Sequence, residues 1–399
     1  MKTQVLIIGA GPAGSSAALT LRRSGIEVVL ADQCDFPRDK ACGDALIPDA
    51  LNALERLGLR GPVAAAGQAS CKLTAVAPNG TEVELGGEFL CLPRLSLDSM
   101  IMRAAESHGA EFLPQHRATA PIMDGDAVRG ARFQTPDSQS ETAVEAEVTL
   151  LATGAGTGPL TAFGVCLRPG PSALALRAYY RVPRDLAAEY RQLIISFHSV
   201  TRPGYGWIFP GPDNMFNLGV GVFYAGNRPL ASLRSLWLTF IRGFPAAHRI
   251  VSEGVPAGPV RGAPLRTGFT GSRLFRNGLL VLGEAAGLTY PFSGEGIGKA
   301  MESGVLAGEV LAQVFAGATG SPAQAGASYE QKMHSRHARR YQTYQTAQQW
   351  LARPGICNLI AERANASLYL KEQLEGLLTE TSDALAIFSV GGLLRSLFR

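Results

Sequence analysis

The sequence predicts an α/β fold in which a domain built on a parallel sheet is interrupted by a second, antiparallel β-sheet domain and followed by a helical region. Three features of the 399 residues predict it. Apolar runs flank a glycine-rich turn near the start, which is typical of a βαβ unit. Alternating stretches rich in Gly and Pro occupy the middle of the chain. Helical periodicity dominates after Ser321.

The first element is a strand, turn, helix and strand over residues 1–32. An apolar run at 5–8 predicts a buried strand, and the Gly-x-Gly-x-x-Gly after it predicts a turn that brings backbone close to a pyrophosphate. A second apolar strand ends in Asp32, 23 residues after Gly9, where an acid binding the ribose hydroxyls is expected. The order of these elements predicts a dinucleotide site. Its residues are Gly9, Gly11, Pro12, Ala13, Gly14, Asp32 and Gln33.

The next segments read in order as a polar loop, a helix, a hairpin, a second helix and two stretches of strand. The helix spans residues 48–57, and the hairpin spans 70–93 with its turn at Pro78-Asn79-Gly80. We expect the second helix to begin at Ser96 with Asp98 in its first turn. The predicted strands are residues 117–135 and 142–151.

Alternation at 173–182, 193–199 and 215–224 predicts an antiparallel sheet in a second domain. Residues 278–287 return to a buried strand and a turn, followed by a helix from about Gly294 to Phe315. The rest is predicted to be helical. We expect breaks at Pro354-Gly355 and Gly391-Gly392, with an amphipathic end over 393–399.

Composition narrows the class of protein. Hydrophobic residues make up 46% of the chain and charged residues 18%, and the net charge of +4 is too small to indicate nucleic-acid binding. The six cysteines show no Cys-x-x-Cys pair and no zinc spacing, so we expect free thiols, a reducing compartment and no metal site. No signal peptide and no apolar run of about 18 to 20 residues is found, which predicts a cytoplasmic protein that is soluble or lies on a membrane surface.

Three motifs together resemble the FAD-dependent superfamily related to para-hydroxybenzoate hydroxylase. They are the fingerprint ending in Asp32, the strand end Leu151-Ala152-Thr153-Gly154, and Gly283-Glu284-Ala285-Ala286-Gly287. The resemblance implies that the last motif's acid bonds the ribitol chain and that the following helix points at the flavin. Because the chain has one full fingerprint, it predicts a single bound nucleotide, FAD.

Three further segments resemble the geranylgeranyl reductase family within that superfamily. They are Lys40-Ala41-Cys42-Gly43, the box Tyr205-Gly206-Trp207-Ile208-Phe209-Pro210 with Gly219 and Gly221 after it, and Pro291-Phe292-Ser293-Gly294-Glu295-Gly296-Ile297. The resemblance implies a set of FAD contacts beyond the fingerprint, namely Lys40, Ala41, Cys42, Gly43, Arg94, Gly154, Glu284, Gly287, Gly294, Gly296 and Ile297. It implies a substrate set of Tyr205, Trp207, Phe209, Gly219, Gly221, Pro291 and Phe292.

The resemblance refines the predicted fold to a discontinuous Rossmann-type FAD-binding domain with an inserted antiparallel β-sheet substrate-binding domain and a helical C-terminal region. We place the FAD-binding domain at 1–68, 94–156 and 276–320, and the substrate-binding domain at 69–93 and 157–275. The C-terminal region is 321–399.

Departures from the family pattern also carry information. Glu284 stands where the motif usually has Asp, and Gly211 stands where a Lys often follows Phe-Pro. Thr153 stands where hydroxylases of the superfamily carry an Asp linked to NADPH use, which disfavours a hydroxylase. The Lys segment and Trp-x-Trp-x-Ile-Pro box of flavin halogenases are not found.

Candidate catalytic residues are Cys42, Tyr205 and Trp207. Reduction of an unactivated alkene by flavin hydride needs a proton delivered to the second carbon, and Cys42 is the candidate donor. The alternative is that Cys42 is only a small residue packed in the interior. The sequence leaves both roles open, because the reactivity of a thiol depends on its exposure and its pKa. The alternation of Tyr205, Trp207 and Phe209 by itself favours a core strand, whereas the family resemblance favours the lining of a lipid cavity.

Each of two basic features of the sequence allows two interpretations. Arg94 contacts the flavin or its phosphates, or it is a surface residue paired with Asp98. The helix bearing His334, Arg336, His337, Arg339 and Arg340 is a solvated face, or it contacts headgroups at a membrane surface with the amphipathic C-terminus.

The leading hypothesis for function is an FAD-dependent reductase of an isoprenoid or similar apolar, lipid-like substrate, with NAD(P)H or a small redox protein as electron donor. The alternatives are an FAD-dependent monooxygenase, either an epoxidase or a hydroxylase, and an electron-transfer flavoprotein. The cysteines form no cluster that could ligate an iron–sulfur centre, which disfavours the last.

Overall fold

The structure, a computed structural model, describes residues 1–136, 141–198, 203–224, 232–318 and 321–395. Its strands are β1 Lys2–Ile8, β2 Val28–Ala31, β3 Ala45–Leu46, β4 Gln68–Val76, β5 Glu82–Cys91, β6 Glu111–Leu113, β7 Arg117–Asp124, β8 Ala127–Gln134, β9 Thr142–Leu151, β10 Ala173–Arg181, β11 Leu193–Ser196, β12 Gly204–Pro210, β13 Met215–Phe223, β14 Val255–Pro256, β15 Arg261–Leu265, β16 Phe275–Arg276 and β17 Leu279–Val281. Its helices are α1 Pro12–Arg23, α2 Pro48–Arg56, α3 Arg60–Ala66, α4 Arg94–Ser107, α5 Thr157–Ala162, α6 Arg184–Glu189, α7 Leu233–Gly243, α8 Pro245–Glu253, α9 Ile297–Phe315, α10 Pro322–Leu351, α11 Pro354–Ala366, α12 Leu368–Leu378 and α13 Val390–Arg395.

The first sheet has the order β16-β17-β9-β1-β2-β6, with the β7–β8 hairpin attached through β9. Strands β17, β9, β1, β2 and β6 run parallel. Central strands of such a sheet are covered on both faces, which explains the continuous apolar run in β1. Their carboxyl ends, with the turn before α1, lie at one edge of the sheet.

The second sheet has the order β14-β10-β13-β12-β11-β4-β5-β3, with β15 paired to β10. The predicted hairpin of β4 and β5 belongs to it. The sheet is antiparallel except where β11 joins β4 in parallel. A parallel pair requires a long crossover, and the more than one hundred residues between these strands provide it.

Helices α1 and α9 pack closely because small residues face one another. A Cβ on Gly304 would lie 2.1 Å from the Ala13 carbonyl oxygen, and one on Gly308 would lie 2.7 Å from Thr20. This close approach brings the first turns of both helices to the same cavity, which Pro12 and Ile297 both line. Helix packing therefore positions two N-termini at one site.

The structure corrects two of our expectations, and a third lies partly outside the described residues. Helix α4 begins at Arg94 rather than Ser96, so Asp98 lies beyond its first turn. Gly391 and Gly392 lie inside α13, and the interruption comes earlier, between α12 and α13. The amphipathic end was expected over 393–399, of which residues 396–399 lie outside the described residues.

In the described part of the chain, no helix combines the length and the apolar character that crossing a membrane requires.

Candidate active site

A cavity of about 470 Å³ lies between the two sheets. One wall comes from the turns after β1, β2 and β9 and from the start of α9, and the other comes from β10, β12 and β13. The loop after β2 crosses between the walls and carries Lys40, Cys42 and Asp44 into the lining. Residues from three distant parts of the sequence therefore meet around one space.

The turn after β1 has the shape that the glycine fingerprint predicts. Gly9 has a φ of +105°, and a Cβ there would lie 2.3 Å from the Ala152 carbonyl oxygen. A Cβ on Gly14 would lie 1.9 Å from the Gly9 oxygen. Gly11 precedes α1, whose first turn contains no acidic residue. The open backbone and the helix N-terminus fit a pyrophosphate.

Asp32 is buried at the end of β2, and both of its carboxylate oxygens accept backbone hydrogen bonds. The Ala10 N–H donates to Oδ2 at 2.8 Å and the Cys34 N–H to Oδ1 at 2.9 Å. The side chain thus holds the glycine turn against the second strand. Gln33, beside it, also lines the cavity.

The second flavin motif forms a short 3-10 turn over Gly283–Ala286. Glu284 lines the cavity, and its Oε2 lies 3.2 Å from Lys40 Nζ. Gly287 ends the turn with a φ of +78° and, unlike Glu284, is not part of the lining. The ion pair ties the loop after β2 to this turn.

Further residues of the predicted FAD set lie on the same wall: Gly11, Pro12, Ala13, Ala41, Gly43, Gly154, Gly294, Gly296 and Ile297. Thr153 also lies there, and its Oγ1 is buried without a hydrogen bond. Open glycine turns, two helix N-termini and an unpaired hydroxyl suit a ligand that has phosphates and many polar atoms. The residues present fit FAD.

Arg94 lines the cavity, but its guanidinium is committed to Asp98. Nε and Nη2 donate to the two carboxylate oxygens at 2.6 and 2.8 Å, and both side chains are buried. Arg38 Nη1 lies 3.1 Å from the same carboxylate. The predicted pairing with Asp98 is therefore present, though not at the surface as that interpretation had it.

Cys42 is half-buried on the cavity wall between the two sheets. Burial raises the pKa of its thiol, and the nearby Asp44 carboxylate raises it too, while the Arg94 guanidinium lowers it. The Asp44 N–H donates to Cys42 Sγ at 3.4 Å. The environment thus keeps the thiol protonated, which suits a proton donor better than a nucleophile.

Tyr205, Trp207 and Phe209 on β12 all line the cavity. The Tyr205 hydroxyl donates to the Ser293 carbonyl, and Trp207 Nε1 donates to Asn217 Oδ1 at 2.9 Å. Their polar groups are therefore already committed to protein partners. What these residues present to the cavity is aromatic surface.

Of the two glycines on β13 that follow the aromatic box, Gly219 makes room for the indole of Trp207. A Cβ on Gly219 would lie 2.1 Å from Trp207 Cζ2, whereas one on Gly221 would lie 3.8 Å from Cζ3. Gly221 lines the cavity and Gly219 lies behind the indole. Gly219 thus allows the indole to pack directly against β13.

The sequence analysis missed Asp44, which is buried with a φ of +68°. Its Oδ2 accepts from the Tyr179 hydroxyl and from Asn217 Nδ2, the latter at 2.7 Å. Burial raises the pKa of Asp44 to about 6, although these two hydrogen bonds lower it. The available signal was its position directly after Lys-x-Cys-Gly.

Besides Gly219, two further residues of the predicted substrate set, Pro291 and Phe292, lie apart from the cavity lining in the described structure. Phe292 packs edge-on against Tyr344, with ring centroids 4.8 Å apart, and also contacts Phe388. Pro291 precedes it and is buried. The C-terminal helices, absent from the motif-based reasoning, cover this segment.

The basic stretch of α10 is not one solvated face. His337 is buried, and Arg340 Nη1 lies 2.6 Å from Glu380. His334 contacts the ring of Phe269, and Arg339 is exposed beside Asp383. Only part of this stretch is free to face solvent.

Comparison with known proteins agrees with this geometry. A family model described as FAD binding domain matches residues 2–172. A menaquinone reductase of Mycobacterium tuberculosis is 33% identical over 332 residues, covering 77% of this chain and 76% of that protein. A digeranylgeranylglycerophospholipid reductase of Methanosarcina mazei is 30% identical over 345 residues, covering 83% and 80%.

The fold has solved counterparts. A geranylgeranyl bacteriochlorophyll reductase-like protein of Thermoplasma acidophilum superposes with a TM-score of 0.77 at 20% identity, covering 99% of this chain and 96% of that one. The chain belongs to the geranylgeranyl reductase family and is an FAD-dependent oxidoreductase.

Proposed function

We propose that this member of the geranylgeranyl reductase family reduces carbon–carbon double bonds of an isoprenoid or similar apolar substrate. The observation that carries the proposal is that the Cys42 thiol, whose pKa is raised by burial, lines the same cavity as the aromatic strand β12. Bound FAD supplies the hydride, and the protein supplies binding, orientation and a proton.

FAD is held, in this proposal, by backbone and by two acidic side chains. The glycine turn after β1 and the N-terminus of α1 would hold the pyrophosphate, Asp32 the adenosine ribose, and Glu284 the ribitol chain. The start of α9 would contribute to the site of the flavin ring. Lys40 keeps Glu284 in place through their 3.2 Å ion pair.

The substrate lies along Tyr205, Trp207 and Phe209. Rings with committed polar groups give an apolar surface with little rotational freedom, which suits an isoprenoid chain. The names of the two curated relatives mention menaquinone and digeranylgeranylglycerophospholipid, and both molecules carry isoprenoid chains. Tyr205 and Trp207 thus act by positioning the substrate.

Cys42 is the proton donor. A neutral thiol gives its proton to one alkene carbon as hydride reaches the other, and the resulting thiolate is stabilised by the Asp44 N–H and the Arg94 guanidinium. Proton exchange with solvent then restores the thiol. Positioned proton transfer of this kind contributes roughly 100-fold to 10,000-fold to a rate.

We further propose that NAD(P)H or a small redox protein reduces the flavin and that the enzyme is a cytoplasmic protein that touches a membrane surface. The support for membrane contact is exposed apolar surface on the C-terminal helices. Leu368 is 71% exposed, Val390 69% and Leu394 51%. Such side chains can enter the interfacial region of a bilayer.

The test uses holoenzyme reduced with dithionite under anaerobic conditions and mixed with a polyprenyl substrate. We expect saturated product, detected by mass spectrometry, and stoichiometric reoxidation of the flavin. Reoxidation only on adding oxygen, with hydroxylated or epoxidised product, would overturn the proposal in favour of a monooxygenase. Reoxidation only by a protein acceptor would favour an electron-transfer flavoprotein.

A further inference from the structure

A second acidic site, separate from Cys42, lies where α9 begins. Asp49 is the second residue of α2, and its side chain is 6% exposed. Glu295 precedes α9 and belongs to the cavity lining. The two carboxyl groups meet at Gly298, whose N–H donates to Glu295 and on which a Cβ would lie 2.5 Å from Asp49 Oδ2.

Each carboxyl group has one satisfied oxygen and one oxygen without a hydrogen bond. Asp49 Oδ1 accepts from the Ala50 N–H at 2.6 Å, and Glu295 Oε1 accepts from the Gly298 N–H at 2.7 Å. Asp49 Oδ2 and Glu295 Oε2 are buried and make none. Two ionised carboxylates can only accept, so a hydrogen bond between these oxygens requires a proton.

The charges around Asp49 and Glu295 favour a shared proton, because the buried carboxyl groups outnumber the nearby cations. Besides Asp49 and Glu295, the carboxylates in the group are Glu302 and Glu380, and its buried or half-buried cations in the described residues are Lys299 and Arg340. Lys299 Nζ lies 2.6 Å from Glu302 and 2.9 Å from Glu380, but 3.7 Å from Asp49. Lys299 and Arg340 therefore form their short ion pairs with Glu302 and Glu380 rather than with Asp49 or Glu295.

The remaining neighbours do not supply a further positive charge. Burial lowers the pKa of His337 to about 4, so the imidazole beside Glu302 is neutral. Arg336 is exposed and acts on Glu302 from the surface. The hydroxyls of Tyr290, Tyr341 and Tyr344 donate to Glu380, Leu288 and Leu377 and stay neutral.

We propose that Asp49 and Glu295 share one proton and form a proton-holding site that opens onto the cavity at the start of α9. With the proton, the pair carries one negative charge opposite Lys299, and without it a second buried charge would be unpaired. Adjacent buried carboxyl groups in other proteins avoid double ionisation in the same way. The site limits the negative charge that faces the flavin ring and makes that charge depend on pH.

The first experiment is the infrared difference spectrum between oxidised and dithionite-reduced holoenzyme at pH 8, where Asp44 is ionised. We expect a protonated-carboxyl C=O band that shifts in D2O and disappears in both Asp49→Asn and Glu295→Gln. The control is Glu309→Gln on the same helix, whose side chain is 44% exposed and bound to Arg56. Absence of the band from the wild type, or its persistence in both variants, would overturn the proposal.

The second experiment is the midpoint potential of bound FAD between pH 6 and pH 10. Asp49→Asn leaves a single charge on Glu295, so we expect its potential at pH 7 to equal that of the wild type. At high pH the wild type loses the shared proton, and its potential should fall below that of the variant. A higher potential of the variant already at pH 7 would show that the wild-type pair is doubly ionised.

This inference rests on FAD binding at the cavity and not on the substrate. Neither measurement contains an isoprenoid. Failure of the proton-holding site would therefore leave the proposed reductase activity standing, and failure of the polyprenyl assay would leave the two measurements interpretable.

Discussion

The two walls of the cavity differ in the groups that form them, which are mainly backbone on one side and side chains on the other. The cofactor-facing wall consists mainly of backbone turns, where Gly9 and Gly14 are packed so closely that a Cβ would meet carbonyl oxygens at about 2 Å. The substrate-facing wall consists of side chains, where Trp207, Asn217 and Asp44 form a continuous hydrogen-bonded chain. Under the proposed function, the first wall binds groups that every FAD shares, and the second is free to change with the substrate.

This difference predicts how each wall responds to amino-acid substitution. A backbone wall has no side chain to move aside, so small substitutions should abolish cofactor binding. A side-chain wall can repack, so substitutions should change rate or affinity while FAD stays bound. The predictions below test that separation, beginning with the largest expected effect.

Gly9→Ala should weaken FAD binding by more than about 1,000-fold, because the strain of a positive φ and a backbone clash each cost up to about 3 kcal/mol. The measurement is FAD content by absorbance, with FAD titration of the apoprotein. Gly158→Ala is the control, because no atom lies within 4 Å of its added Cβ. A Gly9→Ala protein with full FAD content would contradict the description of this wall.

Cys42→Ser should lower the rate of alkene reduction about 100-fold or more while FAD remains bound, because a hydroxyl is a far weaker acid than a thiol. Single-turnover reoxidation of the reduced flavin by substrate measures it. The exposed Cys71 provides the matched control, Cys71→Ser. If both variants react at the wild-type rate, Cys42 is a packed small residue.

Asp44 makes stability depend on pH. Its pKa is about 6 in the folded chain against 3.8 as the ordinary value, so its stabilising contribution is complete below pH 4 and is lost as pH rises through 6. Asp44→Asn resembles the protonated form. We expect the unfolding free energy of the wild type, relative to the variant, to fall by about 2.4 kcal/mol between pH 4 and pH 7, since each pH unit between the two pKa values is worth about 1.4 kcal/mol.

Urea unfolding of both proteins at several pH values measures this difference. A difference that does not vary with pH would mean that Asp44 keeps an ordinary pKa. Equal FAD content of the two proteins would place the effect on the substrate-facing wall.

Gly219→Ala should displace the indole of Trp207 and raise the KM for a polyprenyl substrate about tenfold, since overpacking typically costs about 1 to 3 kcal/mol. Gly221→Ala is the matched control two residues along the same strand, because the nearest atoms would lie 3.8 and 3.9 Å away. Equal KM values for the two variants, or loss of FAD from Gly219→Ala, would contradict the division between the walls.

The two walls also differ in how much of each could be predicted from the sequence. The fingerprint from Gly9 to Asp32 spans one βαβ unit, and a contact such as that between Ala10 and Asp32 is implied by local spacing. The hydrogen bond between Asp44 and Asn217 joins residues 173 positions apart, and no periodicity of the sequence predicts it. Motif order led to Cys42 and β12, but not to the side chains that hold them.

The C-terminal helices show the same limit. Helical periodicity predicted helices after Ser321 with a break at Pro354-Gly355, but not the break between α11 and α12, and the basic stretch of α10 suggested a solvated face. In the structure, Arg340 and the buried His337 face Glu380 and Glu302 across the packed helices. A helix surface can be identified from sequence as charged, but whether those charges are buried depends on which element packs against it.

Sequence by itself determined the fold class, the FAD fingerprint and the family of this protein, because backbone turns and strand patterns are dictated by neighbouring residues. Tertiary structure alone decided which carboxyl groups are buried together, which aromatic groups have committed hydrogen bonds, and that Phe292 belongs to the C-terminal packing. The physical reason is that burial raises or lowers a pKa and fixes a side chain only through groups that are distant in sequence. For that reason the cofactor could be predicted before the structure, whereas the burial and hydrogen-bond partners of Cys42, Asp44, Asp49 and Glu295 could not.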